Sequence, residues 1–278
     1  MTAIQESPRF GLVIVGDEIL SGKREDKHLT KIIELLARRG MQLSWSHYIG
    51  DDRAALVDFY RRTMTSGDIV ISCGGIGATP DDHTRQAAAA ALGVEVVLHP
   101  QAAALISERC AAMARKGHGT ADMDAPENLQ RLKMGEFPAG AEIIPNPFNR
   151  IPGFSASRHW FVPGFPVMAW PMVEWILDTH YARYFNSHTR VERSFIVFEV
   201  AESLLTPLME RLEQTYPGVR SFSLPSVGDG ADGKPARRHV ELGVKGPELS
   251  IVEKAFGELR SEVLALGAEI GSQPAADA

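Results

Sequence analysis

The sequence has few cysteines and no long apolar run, and these absences exclude several classes of protein. Only Cys73 and Cys110 occur among 278 residues, without the close spacing of a metal site, so a disulfide scaffold is not supported. We expect both to be packed thiols in a reducing cytoplasm. No apolar segment is long enough to cross a bilayer. The polar N-terminus, residues 1–8, predicts that no signal peptide is present.

An excess of basic residues is also missing. The formal net charge is −6, from 35 acidic and 29 basic side chains. Binding to a phosphate backbone without sequence preference requires a basic surface, so we expect neither a nucleic acid nor a membrane as partner. The length and the 44% hydrophobic content instead suit a globular protein with one large domain or two ordinary ones.

Strands and helices alternate along the first 116 residues. Apolar runs predict strands over 9–15, 42–49, 68–73 and 94–98, and a stretch with helical spacing follows each of them. This order predicts a mainly parallel sheet that is covered by helices on both faces. Ligands of such sheets bind beyond the carboxyl ends of the strands.

The pattern changes near residue 188. The order β-α-β-β-α over residues 194–266 predicts a small α+β domain. We therefore expect an α/β domain over residues 1–187, an α+β domain over 188–271 and a disordered tail over 272–278.

The segment Gly-Gly-Ile-Gly-Ala-Thr-Pro-Asp-Asp-His-Thr, residues 74–84, is the most informative part of the chain. Glycines between a strand and a helix bring backbone N–H groups close to a ligand, and the helix N-terminus favours an anion. The candidate ligand contacts are Gly74, Gly75, Gly77, Thr79 and Thr84. The segment matches neither the Walker A motif nor the dinucleotide fingerprint. It therefore predicts a small phosphorylated ligand.

Two adjacent aspartates, Asp81 and Asp82, are unfavourable beside an anion unless a cation lies between them. Mg²⁺ takes oxygen ligands and keeps several waters, so one or two carboxylates suffice. Asp81 and Asp82 are the candidate catalytic residues and metal ligands, and Asp51 and Asp17 are second candidates. Asp82 could instead be a helix N-cap. Asp51 could likewise cap the helix that follows it.

Two further groups of residues are candidate ligand contacts. The first group follows the first predicted strand, where its members could instead end the strand or satisfy a turn. The second group belongs to a loop rich in proline and glycine, in which Asn146 could simply form the turn. Together the candidates are Gly16, Asp17, Glu18, Ser21, Asn146, Pro152 and Gly153.

Four motifs occur in the order typical of one family. They are Gly-Asp-Glu-Ile-Leu-Ser-Gly at 16–22, the glycine-rich segment at 74–84, Pro-Asn-Pro with Pro-Gly-Phe at 145–154, and Pro-Gly-Phe-Pro at 163–166. The chain resembles the molybdenum-cofactor-biosynthesis (MogA-like) domain family, in particular the N-terminal portion of the competence/damage-inducible protein A (CinA) branch. The small second domain resembles that of the same branch. The C-terminal deamidase domain of CinA is not expected, because the chain ends before it.

The resemblance implies a three-layer α/β fold and a homo-oligomer. It implies either a metal-dependent pyrophosphatase acting on an ADP-ribose-like or flavin dinucleotide, or a non-catalytic protein that binds molybdopterin. Three departures remove polar groups near the expected ligand. His28 replaces a common asparagine, Asn149-Arg150-Ile151 replaces Gly-Thr-Ala, and Val167-Met168 stand where a glutamate is common. We take the enzyme as the first hypothesis and the non-catalytic binder as the alternative.

Overall fold

The computed structural model describes residues 8–186, 191–227 and 237–271. The chain divides into two compact units, Met1–Ser187 and His188–Ala278. The expected disordered tail, residues 272–278, lies outside the described residues, as does the junction between the units. Over the part of the chain that the structure describes, no helix has the length and apolar character needed to span a membrane.

The first unit is built on a six-stranded sheet. Its strand order is β2-β1-β3-β8-β7-β6, in which β1, β2, β3 and β8 are parallel and β7 is antiparallel to both of its neighbours. The bounds are β1 Phe10–Val15, β2 Leu43–Ile49, β3 Ile69–Cys73, β6 Glu142–Ile144, β7 Gly153–Ala156 and β8 His159–Val162.

Helices cover both faces of this sheet. Alternate residues of β1 point to opposite faces, so Leu12 packs in one buried cluster and Val13 in the other. The prediction of a three-layer α/β fold with a mainly parallel sheet is confirmed. The helices are α1 Asp17–Leu20, α2 His28–Ala37, α3 Arg53–Thr65, α4 Thr84–Leu92, α5 Pro100–Arg115, α6 Pro126–Leu132 and α7 Pro166–His180.

One predicted strand does not belong to the main sheet. Residues 94–98 were expected to continue the parallel order, but β4 (Val96–Leu98) pairs antiparallel with β5 (Glu136–Pro138) in a separate two-stranded sheet. Val97 and Leu98 remain exposed, whereas every residue of β8 is buried beside β3. Because only a strand buried on both faces can extend the centre of a parallel sheet, β8 takes that place.

The second unit is a four-stranded antiparallel sheet with two helices. Its order is β10-β11-β9-β12, and the apolar side chains of the sheet pack with those of both helices in one cluster. The predicted β-α-β-β-α order is present, and a short final strand extends it. The elements are β9 Val191–Phe198, α8 Glu202–Thr215, β10 Arg220–Ser226, β11 His239–Gly246, α9 Leu249–Ala265 and β12 Glu269–Gly271.

His159, at the start of β8, is a buried titratable group in the first unit. Its Nδ1 lies 2.9 Å from the Ser157 carbonyl oxygen, so this nitrogen carries the proton. Its Nε2, 2.8 Å from the Thr63 hydroxyl, then accepts a hydrogen bond. Burial lowers the pKa of His159 from 6.5 to about 4, although the Ser157 carbonyl and the charge of Asp68 oppose this shift. The folded chain therefore holds a neutral imidazole.

Acid should destabilise the fold through His159. The imidazole of His159 takes up its second proton less readily in the folded state than in the unfolded state. The stability that neutral His159 contributes is therefore complete above about pH 6.5 and decreases toward pH 4. We expect a loss of about 3 kcal/mol in the free energy of unfolding across this range. Urea denaturation at several pH values should show this loss of stability toward low pH in the wild type and in H118Q, a control at an exposed histidine. The loss should be absent in H159Q. Equal pH dependence in all three proteins would contradict it.

Candidate functional site

A cleft of about 430 Å³ lies at the carboxyl ends of the central parallel strands. Its floor is formed by residues that directly follow β1, β3 and β8, namely Gly16, Gly74 and Pro163. These strands are neighbours in the sheet, so loops that are distant in the sequence meet at one edge. The volume is within the range of small-molecule sites.

The glycine turn, residues 74–79, forms one wall of the cleft. Gly74 has φ +108°, and a Cβ added there would lie 2.3 Å from the carbonyl oxygen of Val15. Gly75 has φ +67°, and its added Cβ would lie 2.2 Å from Thr84 Oγ1. Both positions therefore require glycine, and the turn presents backbone rather than side chains to the cleft.

Thr84 stabilises the glycine turn from behind. Its side chain is buried, and its hydroxyl donates to the Gly74 carbonyl oxygen over 3.1 Å. Its amide donates to the Gly75 carbonyl oxygen over 3.0 Å. Thr84 was expected to contact the ligand, but its hydroxyl is directed to the backbone and does not line the cleft.

Asp81 and Asp82 both line the cleft, in different environments. The Asp82 carboxylate accepts from the Thr79 amide over 2.9 Å and from the Thr79 hydroxyl. The alternative of an N-cap at Asp82 is wrong, because α4 begins at Thr84 after His83. Asp81 is exposed, and the Thr79 hydroxyl, its own amide and the charge of His83 hold its pKa below the usual value. Asp81 therefore stays ionised.

Asp51 lines the same cleft from the end of β2. The alternative that Asp51 caps the following helix is also wrong, because Asp52 caps α3 by accepting from the Ala55 amide over 2.7 Å. Asp51 instead accepts from the Asp17 amide over 2.8 Å, and its own amide donates to the Asp17 carboxylate over 3.2 Å. Two loops are thereby joined through their aspartates.

Four carboxylates, Asp17, Glu18, Asp51 and Asp81, form an acidic cluster at this end of the sheet. Burial raises the pKa of Asp51, and the negative charges of the other three raise it further, although the Asp17 amide opposes the shift. Such mutual repulsion is a cost that a bound cation would relieve.

The cluster does not form a closed metal site. Within residues 8–186, 191–227 and 237–271, no three His, Cys, Asp or Glu side chains are grouped so that they could hold an ion. Mg²⁺ needs only one or two carboxylates when phosphate and water supply the remaining oxygens. The residues therefore fit a cation that shares its ligands with a bound phosphate. Asp51 and Asp81 both line the cleft and are the carboxylates that could contribute ligands to such a cation.

The rest of the cleft lining consists of one basic side chain and several apolar side chains. Arg24 lines the cleft, and its guanidinium carbon lies 5.9 Å from the ring centre of the exposed Phe165. Met134, Met168 and other apolar residues complete this wall. The sequence interpretation missed Arg24, although its position shortly after the Gly-Asp-Glu motif was a usable signal.

The other predicted contacts are divided between the cleft and its surroundings. Gly16, Glu18 and Pro152 line the cleft, as does Asn146. The Asn146 amide nitrogen donates to the Ile151 carbonyl oxygen over 3.0 Å, and its amide oxygen accepts from the Phe148 amide over 3.0 Å. The Asn146 side chain thus holds its own loop in shape.

Besides Thr84, three predicted contacts lie outside the cleft. Asp17 and Ser21 line a shallow adjacent groove, and the Ser21 hydroxyl donates to the Glu18 carbonyl oxygen over 3.4 Å. Gly153 belongs to β7, where an added Cβ would lie 2.3 Å from the carbonyl oxygen of Phe161. Gly153 therefore serves close packing between strands.

The structure also places the residues at which the chain departs from the family motifs. His28 is buried, and its Nε2 lies 3.0 Å from the Gly164 carbonyl oxygen below the cleft floor. Arg150 forms an exposed ion pair with Glu108 over 2.9 Å. Asn149 and Met168 line the cleft and contact each other, Nδ2 to Sδ, over 3.3 Å.

The chain is similar to a known protein family and to several individual proteins. The model of a family described as a probable molybdopterin binding domain matches residues 11–182. A CinA-like protein of Anaeromyxobacter sp. (strain Fw109-5) is 32% identical over 276 residues, which cover 92% of this chain and 62% of that protein. Protein Ta0487 of Thermoplasma acidophilum is 29% identical over 257 residues, which cover 89% of this chain and 87% of that protein.

A solved structure shows the same likeness. The structure of the protein CinA with unknown function from Thermoplasma acidophilum is 25% identical, with a TM-score of 0.51. The match covers 61% of this chain and 97% of that chain. Several other CinA-like proteins are matched over about half of their own length.

Proposed function

Because this chain belongs to the probable molybdopterin binding domain family through residues 11–182, we propose that its cleft binds a small phosphorylated ligand and hydrolyses a pyrophosphate bond in it. One observation carries the proposal. The glycine turn and three carboxylates of the acidic cluster, Glu18, Asp51 and Asp81, face one cleft, so an anion and the cation that neutralises it can be held together.

The glycine turn and Arg24 account for the binding of an anion. The turn brings backbone to the cleft without side-chain bulk, and α4 begins directly behind it, so its helix dipole favours a negative group. Arg24 can pair with a phosphate through two parallel hydrogen bonds. Phe165 and Met168 offer an apolar surface to a planar ring such as adenine, flavin or pterin.

The acidic cluster accounts for the hydrolysis. A divalent cation supplies charge neutralisation at the phosphate oxygens and orients a water molecule. Asp51 and Asp81 would hold that cation from two loops. Asp82 keeps the glycine turn in the shape that the ligand meets.

Turnover assays test this proposal directly. The purified chain is incubated with ADP-ribose, FAD or NAD in the presence of Mg²⁺, Mn²⁺ or Co²⁺, and released AMP is measured. We expect AMP from at least one dinucleotide and none after addition of a chelator. The alternative, a non-catalytic binder, predicts no AMP with any metal and a higher melting temperature with a pterin phosphate. That result would overturn the hydrolase.

A further inference from the structure

Arg85 is a buried cation behind the glycine turn, in the first turn of α4. Its side chain is only 2% exposed, which is unusual for arginine. Arg85 does not line the cleft, so the ligand contacts described above give no reason for a buried arginine at this position. It lines instead a smaller pocket, which shares Ala78 and Thr79 of the glycine turn with the cleft.

The guanidinium joins two segments that are distant in the sequence. Its Nη2 donates to the Gly77 carbonyl oxygen over 2.5 Å. Its Nη1 donates to the Lys133 carbonyl oxygen and, over 3.4 Å, to the Glu136 carbonyl oxygen. All of these acceptors are backbone atoms, so the contacts fix where the chain lies.

Both of these segments form walls of the cleft. Gly77 belongs to the glycine turn, and Lys133 directly precedes Met134, which also lines the cleft. Lys133–Gly135 form a single 3₁₀ turn, and such a short element has few internal hydrogen bonds of its own. The spacing between the two walls therefore depends on contacts between them, and Arg85 provides such contacts.

We propose that Arg85 is a positioning residue that sets the distance between the glycine turn and the Met134 wall, and thereby the affinity of the cleft. This inference rests on the proposed function in taking the cleft as the ligand site. A planar fork with five donors reaches diverging carbonyl groups at once, whereas the single ammonium of lysine does not. A positive charge alone at position 85 is therefore not sufficient to hold the two segments together.

Hydrogen exchange tests the contact without any ligand. In R85K, amides of the glycine turn and of residues 133–136 should exchange faster than in the wild type, while those of the distant helix α7 should be unchanged. The matched control is R61K, in which the exposed Arg61 keeps its charge beside Asp58 on the surface. Unchanged exchange in R85K, or faster exchange throughout the chain, would overturn the proposal.

Affinity measurements test the consequence for the cleft. Calorimetry with ADP-ribose in the absence of metal should show a Kd for R85K about tenfold above that of the wild type and R61K. In R85A, millimolar guanidinium chloride should restore affinity, whereas sodium chloride at equal concentration should not. Wild-type affinity in R85K would overturn the proposal, and so would an R85A variant that guanidinium does not rescue.

The two proposals can fail separately. If the wild type does not bind ADP-ribose or any other dinucleotide tested, the proposed function fails. The exchange comparison of R85K with R61K still decides whether Arg85 holds the two walls in place.

Discussion

Replacing Asp81 with asparagine should lower the rate of pyrophosphate hydrolysis by about 100-fold or more while leaving the melting temperature unchanged. Asp81 is exposed and ionised at the cleft, and its pKa lies below the usual range. Asparagine preserves the size of the side chain and removes its charge. Under the proposed function the variant therefore loses a carboxylate ligand of the cation without disturbing packing.

Three measurements define this test. Released AMP gives the rate, thermal unfolding gives the stability, and D58N serves as the control, because the Asp58 carboxylate pairs with Arg61 on the surface of α3. D51N should also lose activity, since Asp51 faces the same cleft. If D81N keeps full activity, Asp81 is not part of the metal site.

Replacing Gly74 with alanine should have the largest effect on stability. The backbone at Gly74 has φ +108°, and the added methyl group would lie 2.3 Å from the carbonyl oxygen of Val15. A backbone atom in a central strand cannot move aside at low cost. Strain from the backbone conformation and from the clash together should lower the free energy of unfolding by about 3 kcal/mol or more. Binding of ADP-ribose should be lost as well.

Gly93 is a matched control for this substitution. It also has a positive φ, +71°, but an added Cβ would meet nothing within 4 Å. G93A should therefore lose only about 1 kcal/mol, from backbone strain alone. Urea denaturation of both variants measures the difference. Equal losses in the free energy of unfolding would show that the contact with Val15 adds nothing to the destabilisation of G74A.

The parallel sheet and the glycine turn could be predicted because their signals are local. β1 and β3 are continuous apolar runs, which is typical of strands buried on both faces. The glycines directly after β3 mark the turn, since the positive φ found at Gly74 and Gly75 favours glycine. Runs and breaks of this kind are visible without knowledge of any tertiary contact.

The features that escaped prediction depend on contacts across the fold. Asp51 and Asp52 are adjacent, and a shift of one residue decides which of them caps α3 and which faces the cleft. Residues 94–98 look like a core strand, yet β4 lies at an exposed edge. The role of Gly153 depends on its approach to Phe161, and no local pattern encodes that distance.

The crossed hydrogen bonds between Asp17 and Asp51 have a consequence for how ligands enter the cleft. These bonds hold negative charge at the cleft, so under the proposed function a phosphate without its cation meets an unfavourable field, which the cation removes. Cation and phosphate are then thermodynamically linked, and each raises the affinity for the other by the same factor. Cooperative uptake of the two follows from the arrangement of the loops and requires no change in the shape of the protein.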